Sequence, residues 1–184
     1  MLTMDDFVNE DDPILRKVAS EVPLPASDED KQLLTSLMEY VQNSQNPEIA
    51  AQYGLRAGIG LAAPQVNVSK RMIAVHLKDK NGELYSYALF NPKLISHSVE
   101  KAYLTTGEGC LSVNRPISGY VPRYARIMVS GTTLDGTLVQ LRLKGTAAIC
   151  FQHEIDHLNG ILFYDHINPK DPFIIPENSV AVER

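Results

Sequence analysis

The pattern of apolar and polar positions divides the chain into a helical beginning, a strand-rich middle and a helical stretch near the end. Leu33, Leu34, Leu37, Met38 and Val41 recur on one helical face, which predicts a helix from about Ser27 to Gln42. Ser27, with Asp30 three residues on, has the form of a capping box. The polar, glycine-punctuated stretch NSQNPEIAAQYGLRAG that follows reads as a loop or short irregular insertion. From Arg71 the pattern becomes β. RMIAVHLK and LYSYALF flank DKNGE, in which Asn81-Gly82 signals a turn, and KLIS and VEKAYLTT read as further strand segments. YARIMVSGTTL and TLVQLRLKG flank Asp135-Gly136, a hairpin signal. At Thr146 or Ala147 the helical pattern returns, runs through His157 and stops near Gly160. The tail PFIIPENSVAVER carries two prolines and little helical periodicity, so it reads as extended. This order predicts an α+β fold over residues 1–184, a single domain. Mostly antiparallel strands would pack around a central metal-binding helix, with an N-terminal helix and an extended C-terminal tail.

Composition narrows the functional classes. At 184 residues, 44% hydrophobic and 21% charged, the chain has the make-up of an ordinary globular domain. A net charge of -5 and the lack of any Lys/Arg run argue against a nucleic-acid surface. The acidic MDDFVNEDD segment reads as a solvated face. No apolar run approaches the ~20 residues of a membrane span. The first residues carry no basic, then apolar, secretory pattern, so a cytoplasmic protein is expected. In that reducing setting Cys110 and Cys150 are expected as free thiols or metal ligands rather than a disulfide.

The late helix carries the chemistry. In His153-Glu154-x-x-His157 the histidines stand one above the other at i and i+4, so both can reach one ion. Glu154 is offset by about 100°, toward a water beside the ion rather than the ion itself. AAICF before the motif and ILF after it predict a buried helix, where histidines and a glutamate need partners. Asp156 is open to two readings: it orients a histidine through a hydrogen bond, or it pairs at the rim.

A hydrolytic centre needs a third protein ligand, and the residues leave its identity open. In the metzincin pattern a histidine would stand where this chain has Phe163, and His166 comes three residues too late. Glu177 and Glu183 are downstream carboxylates, but no second helix presents them. Cys150 lies one turn before His153, yet is separated from His157 by ~10.5 Å of helix rise. It reads better as a small apolar wall. Cys110, in the glycine-bounded loop TTGEGCLSVNRP, would complete a Cys-His-His set. GIGLAA formally fits a dinucleotide fingerprint, but Pro64 follows at once and no βαβ unit surrounds it.

Taken together, GIGLAAPQ, EGCLS and QHEIDHLNG resemble, in order and rough spacing, the three signature motifs of the peptide deformylases. DPILRKVASEV and the Val121–Arg123 triplet add to a likeness that covers about Asp12 to Ile167. The insertion before Gly58 and the extended tail resemble the type 2 subclass of Gram-positive bacteria.

The resemblance implies hydrolytic removal of the N-formyl group from formyl-methionyl peptides emerging from the ribosome. Cys110, His153 and His157 would hold one divalent metal, Fe2+ as the natural ion, with Zn2+, Ni2+ or Co2+ also suiting the ligands. Glu154 would take a proton from water and deliver one to the departing amine. The Gln65 side chain and the Leu111 backbone N–H would stabilise the oxyanion. Ile59, Gly60 and Gly109 would bind the peptide backbone, the glycines allowing close approach in strand addition. Ile149 and Cys150 would wall the methionine pocket, and Glu108 would pair with Arg123 to brace the ligand loop. The expected partners are N-formyl-methionyl nascent peptides and, transiently, the ribosome, with no direct nucleic-acid or membrane contact. The chain is expected to act as a monomer. Two alternatives share the same helix: a zincin-type endopeptidase, and a closed structural zinc site of Cys110, Cys150, His153 and His157.

Overall fold

A computed structural model describes residues 1–184. The first helix, α1 (Asp28–Ser44), begins where expected and runs two residues further than the apolar spacing suggested. Ser27 caps it by accepting the Asp30 N–H at 3.1 Å. The capping-box reading needs correction, because the Asp30 carboxylate turns away to Lys70 Nζ at 2.6 Å. Leu34, Leu37, Tyr40 and Val41 are fully buried on its inner face.

The stretch read as a loop contains a second helix, α2 (Pro47–Tyr53). Its signals are local: Asn46 accepts the Glu48 and Ile49 N–H groups, Pro47 opens the helix, and Gly54 closes it at φ +65°.

Eight strands follow the two helices: β1 (Gly60–Ala62), β2 (Met72–Lys78), β3 (Leu84–His97), β4 (Lys101–Leu104), β5 (Arg123–Tyr124), β6 (Arg126–Thr132), β7 (Leu138–Lys144) and β8 (Ser179–Val182). Five make an antiparallel sheet in the order β1-β2-β3-β6-β7. The segments LYSYALF and KLIS, expected as separate strands, form one. The register of β3 against β6 shifts between Phe90 and Lys93. There Asn91 adopts φ +50°, Pro92 has no N–H to give, and the Asn91 amide holds both polar groups of the Val22 backbone. A smaller sheet has the order β5-β4-β8, with the C-terminal strand β8 parallel to β4.

The third helix, α3 (Gly145–Leu158), lies between the two sheets. Eleven of its fourteen residues are buried, among them the polar Gln152, His153, Glu154 and His157. Ala147, Ala148, Phe151 and Ile155 pack with Ile73, Val75, Leu89 and Val129 of the large sheet. Ile149 packs with Ala102 and Leu104 of the small one. Gln152 ties α3 to β5 by bonding both backbone groups of Tyr124 at 2.9 Å. The chain turns out of the helix at Gly160, the residue after the Asn159 cap, where φ is +74° and an added Cβ would lie 2.7 Å from the Arg16 carbonyl oxygen. No helix of the chain is long and apolar enough to cross a membrane.

Candidate metal centre

Because α3 is buried on all sides, the polar groups on it must be answered by neighbouring elements. His153 and His157 project from α3 toward the loop after β4, which carries Cys110. One ligand atom from each of Cys110, His153 and His157 lies within 4.8 Å of the others, and all three residues are buried. Cys110 Sγ is 3.4 Å from His157 Nε2. The other third-ligand options stand elsewhere. Cys150 is outside this cluster, so the closed four-ligand zinc site is not assembled. His166 bonds Asp156, Glu177 and Glu183 are exposed, and Phe163 lies face-to-face with the His153 ring at 6.0 Å.

Glu108 does more than the expected pairing with Arg123. Its Oε1 lies 2.8 Å from His153 Nδ1, and its two oxygens receive Arg123 at 2.8 and 3.0 Å. Burial alone would push the Glu108 carboxyl up, but the Arg123 guanidinium and the His153 hydrogen bond outweigh it and hold the pKa at about 2. The carboxylate is therefore an acceptor only, and His153 Nδ1 must carry its proton toward it. That leaves His153 Nε2 free for an ion. Asp156 takes the rim role: it accepts from Arg123 at 2.6 Å and pairs with His166 at 2.8 Å.

Glu154 is buried, and its Oε1 has no hydrogen-bond partner. Burial raises its pKa to about 7, against the opposing pull of His153 and Arg123. The His157 Nδ1 is likewise without a partner. A thiol and two imidazoles converging in the interior, beside an orphaned carboxylate oxygen, fit a divalent cation with borderline-soft preferences.

The remaining expected residues surround one cavity of about 170 Å³. Ile59, Gly60, Gln65, Glu108, Gly109, Cys110, Leu111, Ile149, Cys150, His153 and Glu154 all line it, while His157 and Arg123 do not. Gln65 Oε1 accepts the Ala62 N–H at 3.0 Å, which turns Nε2 toward Cys110 Sγ at 3.5 Å. The Leu111 N–H makes no backbone hydrogen bond. Gly60 has a reason beyond ligand approach: a Cβ there would meet Glu154 Oε2 at 2.7 Å and Cys150 Sγ at 2.9 Å. Burial, then the Glu154 charge, raise the Cys150 thiol well above its usual range, the behaviour of a wall residue.

Sequence reasoning missed Arg56, which donates to the carbonyls of Cys110, Leu111 and Val113 and so clamps the loop bearing Cys110. It also missed Arg184, a further residue of the cavity wall. Neither belongs to a periodic pattern, so no local signal marked them.

The family model for polypeptide deformylase matches residues 4–173. The chain belongs to the polypeptide deformylase family. It is 68% identical over 184 residues to peptide deformylase 2 of Geobacillus stearothermophilus, covering 100% of both chains. It is 62% identical, again over 100% of both, to peptide deformylase 2 of Bacillus subtilis (strain 168), in keeping with a type 2, Gram-positive deformylase. Among solved structures, a probable peptide deformylase from Synechococcus phage S-SSM7 superposes with a TM-score of 0.71 at 36% identity, over 88% of this chain and 98% of that one. A class I type b deformylase from Acinetobacter baumannii, bound to Met-Ala-Ser, gives 0.69 at 32% identity, over 88% and 96%. The chain is thus a hydrolase that removes the N-formyl group from newly made polypeptides.

Proposed function

We propose that Cys110, His153 and His157 hold one divalent metal ion and that Glu154 is the proton-transfer residue of the deformylation. The convergence of the three ligand atoms beside the buried, partnerless Glu154 carboxylate carries this reading. When bound, the ion supplies Lewis acidity and a water acidified toward a pKa of ~7. Fe2+ is the proposed natural ion; Zn2+, Ni2+ and Co2+ also suit one thiolate and two imidazoles.

The chain's own groups divide the remaining work. Glu154 Oε1 accepts the water proton, and the carboxyl then delivers a proton to the departing amine nitrogen. Its tendency toward a neutral form, caused by burial, makes it able to give that proton back. Gln65 Nε2 and the Leu111 N–H donate to the oxygen on which negative charge develops. Glu108 and Arg123 hold the His153 ring and the Cys110 loop in register. The substrate adds as a short extended strand along Ile59 and Gly60, with Gly109 on the facing side, and its methionine side chain enters between Ile149 and Cys150.

Residues 1–184 act as one catalytic domain, as a cytoplasmic monomer that meets nascent chains in transient contact with the ribosome. The test uses protein purified anaerobically, with its metal measured, on a formyl-Met peptide and its unformylated twin. Formate release from the first and intact internal bonds in both are expected. Internal cleavage would replace this reading with an endopeptidase.

A further inference from the structure

Two arginines line the cavity, and they are held differently. Arg56 is engaged by the protein, bonded to three carbonyls of the Cys110 loop and to Asn114 Oδ1. Arg184 lines the same cavity yet takes part in none of the chain's ion pairs. It is also exposed, whereas Cys150 beside the cavity floor is 5% exposed, so Arg184 stands on the open side.

Sheet pairing fixes where Arg184 emerges. Strand β8 lies parallel to β4 with Val182 opposite Leu104, and the Val182 carbonyl accepts the Thr105 N–H at 3.0 Å. Val182 packs on the cluster that contains Leu104 and Ile149. Arg184, two residues beyond Val182, therefore lines the cavity on the side of Leu104 and Ile149.

An extended peptide laid along β1 turns alternate side chains to opposite sides, with a two-residue repeat of roughly 6.6 Å. Its methionine and the residue two places later face the same wall, and the residue between them faces away. We propose that Arg184 is a specificity-determining residue that favours an acidic side chain at the third position of the formyl-methionyl substrate. The proposal rests on the strand-addition reading given above.

The test compares formyl-Met-Ala-Glu-Ala with formyl-Met-Ala-Lys-Ala, both C-terminally amidated, on the metal-loaded full chain and on Arg184→Gln and Arg184→Glu. A second pair carries Glu or Lys at position two. Ratios of kcat/KM within each variant cancel any general loss of activity. At low salt the unaltered chain is expected to favour Glu over Lys at position three by about fivefold, mostly in KM. Arg184→Gln brings the ratio near one and Arg184→Glu inverts it; 1 M salt, where screening acts within about 3 Å, flattens it. No such ratio is expected at position two. An unchanged position-three ratio in Arg184→Glu overturns the proposal and leaves the strand-addition reading standing. A charge preference that appears at position two and inverts in Arg184→Glu overturns the strand alternation, and the proposal with it.

Discussion

Glu108 holds His153 and Arg123 with one carboxylate: Oε1 is 2.8 Å from His153 Nδ1 and also 2.8 Å from the Arg123 guanidinium. Arg123 in turn reaches Asp156, so the loop that carries Cys110 and the helix that carries the histidines are joined through one buried cation. The candidate ligands come from segments more than 40 positions apart, and this linkage sets their spacing.

Glu108→Gln tests the linkage. It removes the charge opposite Arg123, whose side chain is 3% exposed. Leaving that cation with Asp156 alone is expected to cost about 3–5 kcal/mol in stability. Loss of the His153 partner is expected to weaken metal affinity by about 10–100-fold. Urea denaturation and a metal titration read the two effects separately.

The same residue predicts how the fold responds to acid. The folded pKa of Glu108 lies at about 2, below the ordinary value of 4.5. Its stabilising contribution is therefore complete above pH 4.5 and is lost as pH falls toward 2. By linkage the full loss is about 3 kcal/mol. Urea midpoints measured between pH 6 and pH 2 are expected to fall more steeply for the unaltered chain than for Glu108→Gln. Parallel curves would remove Glu108 as the source.

Gly60→Ala is expected to disturb the reaction more than its size suggests. The added methyl would lie 2.7 Å from Glu154 Oε2 and 2.9 Å from Cys150 Sγ, so the carboxylate to which we assign proton transfer must shift. A displacement near 1 Å costs on the order of 100-fold in rate, with roughly 1–3 kcal/mol of overpacking. Steady-state kinetics and a thermal melt on one preparation distinguish this from simple unfolding.

Gln65→Glu keeps the oxygen that accepts the Ala62 N–H and replaces the amide nitrogen that faces Cys110. The expected result is a kcat lower by about 100- to 1,000-fold with metal still bound. Unaltered kcat would remove Gln65 from oxyanion stabilisation.

What was legible in the chain was what depends on local spacing. The His153–His157 pair, the offset of Glu154 and the burial of α3 follow from one helical period and its apolar flanks. The helix at Pro47–Tyr53 was equally local, with Asn46, Pro47 and Gly54 marking its ends, yet its polar composition made it read as a loop. The bulge at Asn91 hid the continuity of β3, because Pro92 interrupts the alternation that defines a strand. Cys110 could be selected only through the family likeness, since nothing in its own loop distinguishes it from an idle thiol. Arg56, Arg184 and the Arg123–Asp156 pair gain their meaning from chain crossings that bring distant residues together. No periodicity encodes those meetings.

The most direct measurement is on Glu154→Gln, which keeps the shape of the side chain and removes its ability to exchange a proton. Metal content and formate release from a formyl-Met peptide should be measured on the same anaerobic preparation. The expected result is full metal occupancy with turnover nearly abolished. Normal turnover at full occupancy would contradict the account, because the buried carboxylate beside Cys110, His153 and His157 would then have no part in the chemistry.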